Sequence, residues 1–126
     1  MFGLLEKYKA VGCVLRIEHD NYVGMYRNGH LEHYDWEKHP TVFHEIDVDC
    51  NAWRYRGFIQ DNNIHFGFKT FGQLFAWFTE DERNRLKKLG YKLKLYRPKD
   101  LWYTEKQAMF IRTGLEEVET LTNDRW

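Results

Sequence analysis

"KTFGQLFAWFTEDERNRLKKLGYKLKLYRP", residues 69–98, sets the fold class. Thr70 stands just ahead of Phe71, Leu74, Phe75 and Phe78, whose i, i+3, i+4, i+7 spacing gives one apolar helical face. Thr79 and Glu82 then form a T-x-x-E capping box, in which hydroxyl and carboxylate satisfy backbone donors at the start of a second helix. Leu86 and Leu89 supply its apolar stripe, and Gly90 its stop. From Tyr91 the period changes to two: "YKLKLYRP" alternates as a strand and ends at Pro98.

Upstream, "VGCVLRIEH" (residues 11–19) also alternates. Cys13, Leu15 and Ile17 face one way and Val14, Arg16 and Glu18 the other, which predicts a half-buried strand. In "VGMYRNGHLEHY" (23–34), Asn28-Gly29 accepts positive φ at both turn positions and predicts a hairpin. Residues 35–63 show no sustained periodicity. Their length marks them as functional, or as holding a short element such as Trp53–Phe58. Downstream, "YTEKQAMFIR" (103–112) predicts another strand. The expected fold is α+β in a single domain, 1–126: a small, mainly antiparallel sheet with an early hairpin, a helix pair on one face and two C-terminal strands.

Nineteen Lys/Arg balance nineteen Asp/Glu, so no global field favours nucleic acid or a membrane. The distribution is uneven. Arg83, Arg85, Lys87, Lys88, Lys92, Lys94, Arg97 and Lys99 follow one another without an acid, a basic patch suited to an anionic partner, while residues 115–126 lean acidic. Aromatics at 17% fill a core and leave rings for a flat ligand. Tyr91, Tyr96, Trp102 and Tyr103 interleave with the basic run, so stacking on a base is feasible there. Cys13 and Cys50 make no disulfide framework, and Cys13 reads as core. With neither a secretory signal nor an apolar run of spanning length, the cytoplasm is the expected location.

Four of the six histidines (His30, His33, His39, His44) fall among carboxylates between Gly29 and Cys50. His30 and His33 would point to opposite faces of a strand, and the others lack the paired spacing of a structural zinc site, so a polar segment without metal is expected. There is no G-x-S-x-G elbow, P-loop or G-x-G-x-x-G, so no catalytic residue and no cofactor is assigned. Arg16 and Glu18 share a strand face, and the Arg fork suits phosphate or carboxylate; the plainer account is a cross-strand ion pair on an exposed face.

Residues Val14 to Phe110 resemble a group of small proteins encoded by bacteriophages and prophages. The most specific pieces are Arg16-Ile17-Glu18-His19, His39-Pro40, Phe66-Gly67-Phe68-Lys69, Trp77-Phe78 and Gln107. The resemblance implies viral origin and an accessory role in the host bacterial cytoplasm, in takeover of the host or escape from its defences, without implying a known reaction. A looser similarity is to ADP-ribosyltransferase-like folds, which hold NAD with an Arg or His on an early strand and a Glu on a late one. Arg16 matches the first position; at the second stands Gln107, with Glu105 two residues earlier, and the Ser-Thr-Ser strand is missing. Binding of a nucleotide-like ligand fits this departure better than transfer chemistry.

The expected function is therefore binding: sequestering a nucleotide-like signal, or inhibiting a host defence protein. Arg16 and Arg97 would meet phosphate, Trp53, Tyr55 or Trp102 would stack on a base, and Glu18 and His39 would border one shared pocket. The alternatives are an ADP-ribosyltransferase- or phosphodiesterase-like enzyme acting on a nucleotide, and a virion structural or assembly protein that self-associates through its two charge poles.

Overall fold

The structure, a computed structural model, describes residues 6, 8–19, 39, 45 and 60–126. Among them the chain runs through β1 (Lys9–Ala10), β2 (Val14–Glu18), β3 (Ile64–Gly67), α1 (Phe71–Trp77), α2 (Glu80–Lys88), β4 (Lys92–Arg97), β5 (Leu101–Tyr103), β6 (Ala108–Ile111) and β7 (Glu116–Leu121), with a 3-10 turn at Asn123–Arg125. The strands form two antiparallel sheets, ordered β1-β5-β6-β3 and β2-β4-β7. This is an α+β fold. The hairpin expected at 23–34 and the element expected at Trp53–Phe58 lie outside the described residues.

Local chemistry sets both helices. The Thr70 hydroxyl accepts from the Gln73 N–H (3.1 Å) at the start of α1, and Thr79 and Glu82 complete a capping box in both directions at the start of α2. Acids fill the first turn of α2 and bases its last, matching the helix dipole. Gly90 ends the helix with φ +93°. A Cβ there would come within 2.9 Å of His19 Nε2, which lies 3.0 Å from the Leu89 carbonyl.

Leu15 and Ile17 of β2, Leu93 of β4 and Leu121 of β7 pack with Phe68 and with the helix residues Leu74, Trp77 and Leu86. Val14 and Tyr96, on the opposite face, pack with Leu101, Ala108 and Phe110 of the other sheet. The β2-β4-β7 sheet is thus a middle layer, and all five residues of β2 are buried. The half-buried strand expected from alternation is corrected here: a second sheet, rather than water, covers the face carrying Arg16 and Glu18. The sheets meet at a corner where Leu15 and Phe68 exchange two backbone hydrogen bonds of 2.7 Å. A Cβ on Gly67 would fall 2.4 Å from the Leu15 carbonyl oxygen, so only glycine allows this approach.

Two further differences concern the C-terminal half. The strand expected over 103–112 is interrupted at Thr104–Gln107, so that β5 and β6 pair with each other. The acidic tail also forms a strand, β7, which pairs with basic β4. Lys94–Glu117 (3.6 Å) and Arg97–Glu116 (3.4 Å) link the two, and Arg125–Glu119 (3.7 Å) lies within the tail. The charge poles of the sequence thus face one another within the molecule.

Candidate functional site

Between the two sheets lies a carboxylate sealed from water. The Glu18 side chain is 0% exposed, because its strand is covered on both faces. Arg16, two residues away on the same face, donates from Nε to Glu18 Oε2 at 2.9 Å and also donates to the Phe66 carbonyl of β3. Arg112, just past β6, grips the same carboxylate with two donors, Nη1 to Oε2 at 3.0 Å and Nη2 to Oε1 at 3.3 Å. The Tyr96 hydroxyl of β4 donates to Glu18 Oε1 and accepts from Arg112 Nη2 (3.1 Å). Lys94 stands 3.8 Å from Glu18 and 3.6 Å from Glu117. Residues of β2, β4 and the end of β6 therefore converge on one buried charge.

Burial by itself would raise the Glu18 pKa. The hydrogen bonds from Arg112 and Tyr96, with the charges of Arg112 and Arg16, outweigh it and hold the carboxyl below its ordinary value. For Tyr96 burial, and then the bond to Glu18, push the phenol well up, so it stays a donor. For Arg112 burial works against the charge, but Glu18 raises its pKa further. His65, on β3, is pushed down to about 4, first by burial and then by the charges of Arg16 and Arg112. Its ring tilts against Phe110 and its Nε2 lies 3.2 Å from Asn63 Oδ1. The cluster is thus cationic overall and anchored by a glutamate whose carboxyl is held below its ordinary value, with an imidazole close by whose pKa is depressed.

A cleft of about 320 Å³ opens at its edge, lined by Tyr96, Arg112, Gly114, Leu115 and Glu117. The Arg112 guanidinium lies over the Tyr96 ring, 5.0 Å from its centroid. Arg112 escaped the sequence reading because it follows the apolar run Ala108–Ile111, where a lone basic residue looks like the end of a strand.

The residues expected to share one pocket divide among several places. Arg16 and Glu18 meet as described. Arg97 is exposed and pairs with Glu116. Trp102 belongs to the other sheet, is 3% exposed, and borders a separate cleft of about 290 Å³ with Lys9 and Asp100, which pair at 3.8 Å. His39 is fully buried against Trp77, its Nε2 2.7 Å from the Trp77 carbonyl, so its ring is taken up by the end of α1. Trp53 and Tyr55 lie outside the described residues. Strand alternation and sheet pairing, which the linear order conceals, account for the separation.

The basic patch divides as well. Arg83 donates to the Phe78 carbonyl (2.7 Å) and, with Lys87 (2.6 Å), to the Trp126 carbonyl oxygen. Lys94 and Arg97 face acids of β7, and Lys99 lies over the turn at Gly114. Arg85, Lys88 and Lys92 are exposed. Glu105 is exposed too, while Gln107 is buried and bonds Glu45 at 2.8 Å. No helix of the described residues is long and apolar enough to cross a membrane.

Residues 7–124 match a family model described as "Bacteriophage T4 Y00F protein". No curated protein and no solved structure matches the chain. The match takes in nearly the whole sequence, so the chain belongs to this bacteriophage protein family.

Proposed function

We propose that this member of a bacteriophage family is an accessory protein that acts by binding, and that an anionic, nucleotide-like ligand occupies the Arg112 cleft. The charge cluster at the edge of the cleft supports the reading; Arg112 and Glu117 line the cleft itself, and the rest of the cluster lies behind Arg112. Arg16, Lys94 and Arg112 stand against Glu18 and Glu117, three positive charges to two negative. In a partly desolvated site that excess favours a phosphate or carboxylate, and a guanidinium suits either. A volume of about 320 Å³ sits at the small end of ligand sites and suits one nucleotide or less. Binding needs no activated nucleophile. The carboxyl that could have served as a general acid, Glu18, is sealed and held ionised. In the host bacterial cytoplasm such a protein would sequester a nucleotide-like defence signal.

Thermal unfolding in low salt with a panel of linear and cyclic nucleotides tests the reading. A saturable rise in Tm that weakens in Arg112→Gln and strengthens in Glu117→Gln is expected. A flat response to every nucleotide, together with stoichiometric capture of a defined host defence protein, would replace it with inhibition of that protein. Conversion of NAD or a cyclic nucleotide on incubation would replace it with the enzymatic reading. Light scattering that shows assembly at low salt and not at high salt would favour a virion role.

A further inference from the structure

Glu105 and Lys106 form a two-residue turn between β5 and β6, and it closes without Gly, Pro, Asn or Asp. Its ends are tied to each other, Thr104 N–H donating to the Gln107 carbonyl at 2.9 Å and Gln107 N–H reaching back to the Thr104 hydroxyl at 3.4 Å. Helix α1 fixes it independently. Gln73 Nε2 donates to the carbonyls of Thr104 (2.7 Å) and Glu105 (3.0 Å), while Gln73 Oε1 accepts from the Lys69 N–H (2.7 Å).

Three donors of this turn converge on a single carboxylate. Glu45 Oε1 accepts from Thr104 Oγ1 at 2.7 Å and from Gln107 Nε2 at 2.8 Å, and Glu45 Oε2 accepts from the Lys106 N–H at 3.0 Å. The Thr104 and Gln107 residues are 7% and 5% exposed. Both oxygens of a planar group are addressed, and two of the donors, the Thr104 hydroxyl and the Lys106 N–H, sit on a turn held by bonds that do not involve Glu45. A cradle built this way keeps its shape when its occupant leaves, which lowers the ordering cost of a replacement.

We infer that Thr104, the Lys106 N–H and Gln107 form a carboxylate-binding site, filled in cis by Glu45 and open to a carboxylate in trans when Glu45 is withdrawn. The site is separate from the Arg112 cleft and stands or falls without it. A free small carboxylate and an acidic side chain of a peptide share the recognised chemistry.

The test is an NMR titration of 15N-labelled full-length Glu45→Ala with acetate, with a short glutamate-containing peptide, and with inorganic phosphate. The Lys106 amide and the Gln107 side-chain amide should shift saturably with acetate and with peptide, at millimolar concentrations, and stay still with phosphate. In the unsubstituted protein the same additions should move neither signal, because Glu45 competes intramolecularly. Adding Gln107→Leu to Glu45→Ala should weaken carboxylate binding by about tenfold or more, the loss expected for one hydrogen bond to a charged group. Peptide binding tighter than acetate supports the site with a polypeptide as source; equal binding supports it with a free carboxylate. No shift in Glu45→Ala, equal shifts in the unsubstituted protein, or an equal response to phosphate would overturn the inference. Should Glu45→Ala fail to fold, Glu45→Ser, whose side chain is too short to fill the cradle, is read by the same signals with the same outcomes.

Discussion

Replacing Arg112 with methionine keeps the apolar stem and deletes the guanidinium. Glu18 would lose donors at 3.0 and 3.3 Å, while Arg16 remains at 2.9 Å and Lys94 at 3.8 Å. Removing one partner of a buried ion pair costs about 3–5 kcal/mol when the remaining charge is left uncompensated. With two cations still in place the cost should fall to the bottom of that range or just below it, about 2–3 kcal/mol. Glu18→Gln should cost a similar amount, because the amide keeps only part of the acceptor set of the carboxylate. In the double variant the bare charge disappears along with the guanidinium, so its cost should fall short of the sum of the singles by at least about 1.5 kcal/mol. Urea unfolding at pH 7, followed by circular dichroism with slopes compared between variants, measures all four states. Acid adds a second signature. The carboxyl of Glu18 is depressed in the folded protein, so its stabilisation is complete above the unfolded value and is lost as pH falls through the lower folded value. The cost of Arg112→Met should therefore shrink below about pH 4. Additivity within about 0.5 kcal/mol, or an Arg112→Met variant as stable as its parent, would refute the picture of a sealed charge held by the guanidinium.

His65 predicts a separate pH limb. With its pKa near 4 in the folded state and about 6.5 unfolded, stability should be complete above about pH 6.5 and decline between there and 4, by about 1–2 kcal/mol after allowance for solvent screening. His65→Gln should flatten that limb in urea midpoints taken at several pH values, and an unchanged slope would contradict it. Gly67→Ala should cost about 1–3 kcal/mol, because its Cβ would overlap the Leu15 carbonyl backbone, which has nowhere to move. Gly72→Ala, whose Cβ meets Thr70 Oγ1 at an ordinary 3.6 Å inside α1, should be neutral or stabilising by up to about 1 kcal/mol. Thermal melts of the two alanine variants that ranked them the other way would undo the account of the corner. Thr79→Ala should cost about 1 kcal/mol by removing the capping box, and a loss under about 0.3 kcal/mol in urea unfolding would leave the box without energetic weight.

What could be read from the chain follows the range of the forces involved. Thr70, Thr79 and Glu82 act on groups three residues away, and Gly90 on its own helix, so the helix pair was legible. The alternation of β4 was legible for the same reason. The turn at Thr104–Gln107 was not, because it is held by Gln73 and Glu45 from distant parts of the chain rather than by turn-forming residues. Nor was β7. Five of its six residues are exposed, so no hydrophobic period marks it, and its pairing rests on a basic strand whose Arg97 lies 19 residues before Glu116. At the candidate site, the shared face of Arg16 and Glu18 could be read from alternation. Their burial could not, since a polar strand face normally meets water and here meets a second sheet supplying Tyr96-facing packing and Arg112 at its end.

The spacing of the buried glutamate and its partners along the chain bears on how the protein comes to be folded. Glu18 waits for a hydroxyl 78 residues later and a guanidinium 94 residues later. While the ribosome is still making the intervening stretch, that carboxylate has Arg16 beside it, and its other donors are still to come. Sealing of the charge cluster has to follow the arrival of Arg112, after long loops have been drawn shut, and contacts so distant along the chain slow folding for a protein of this size.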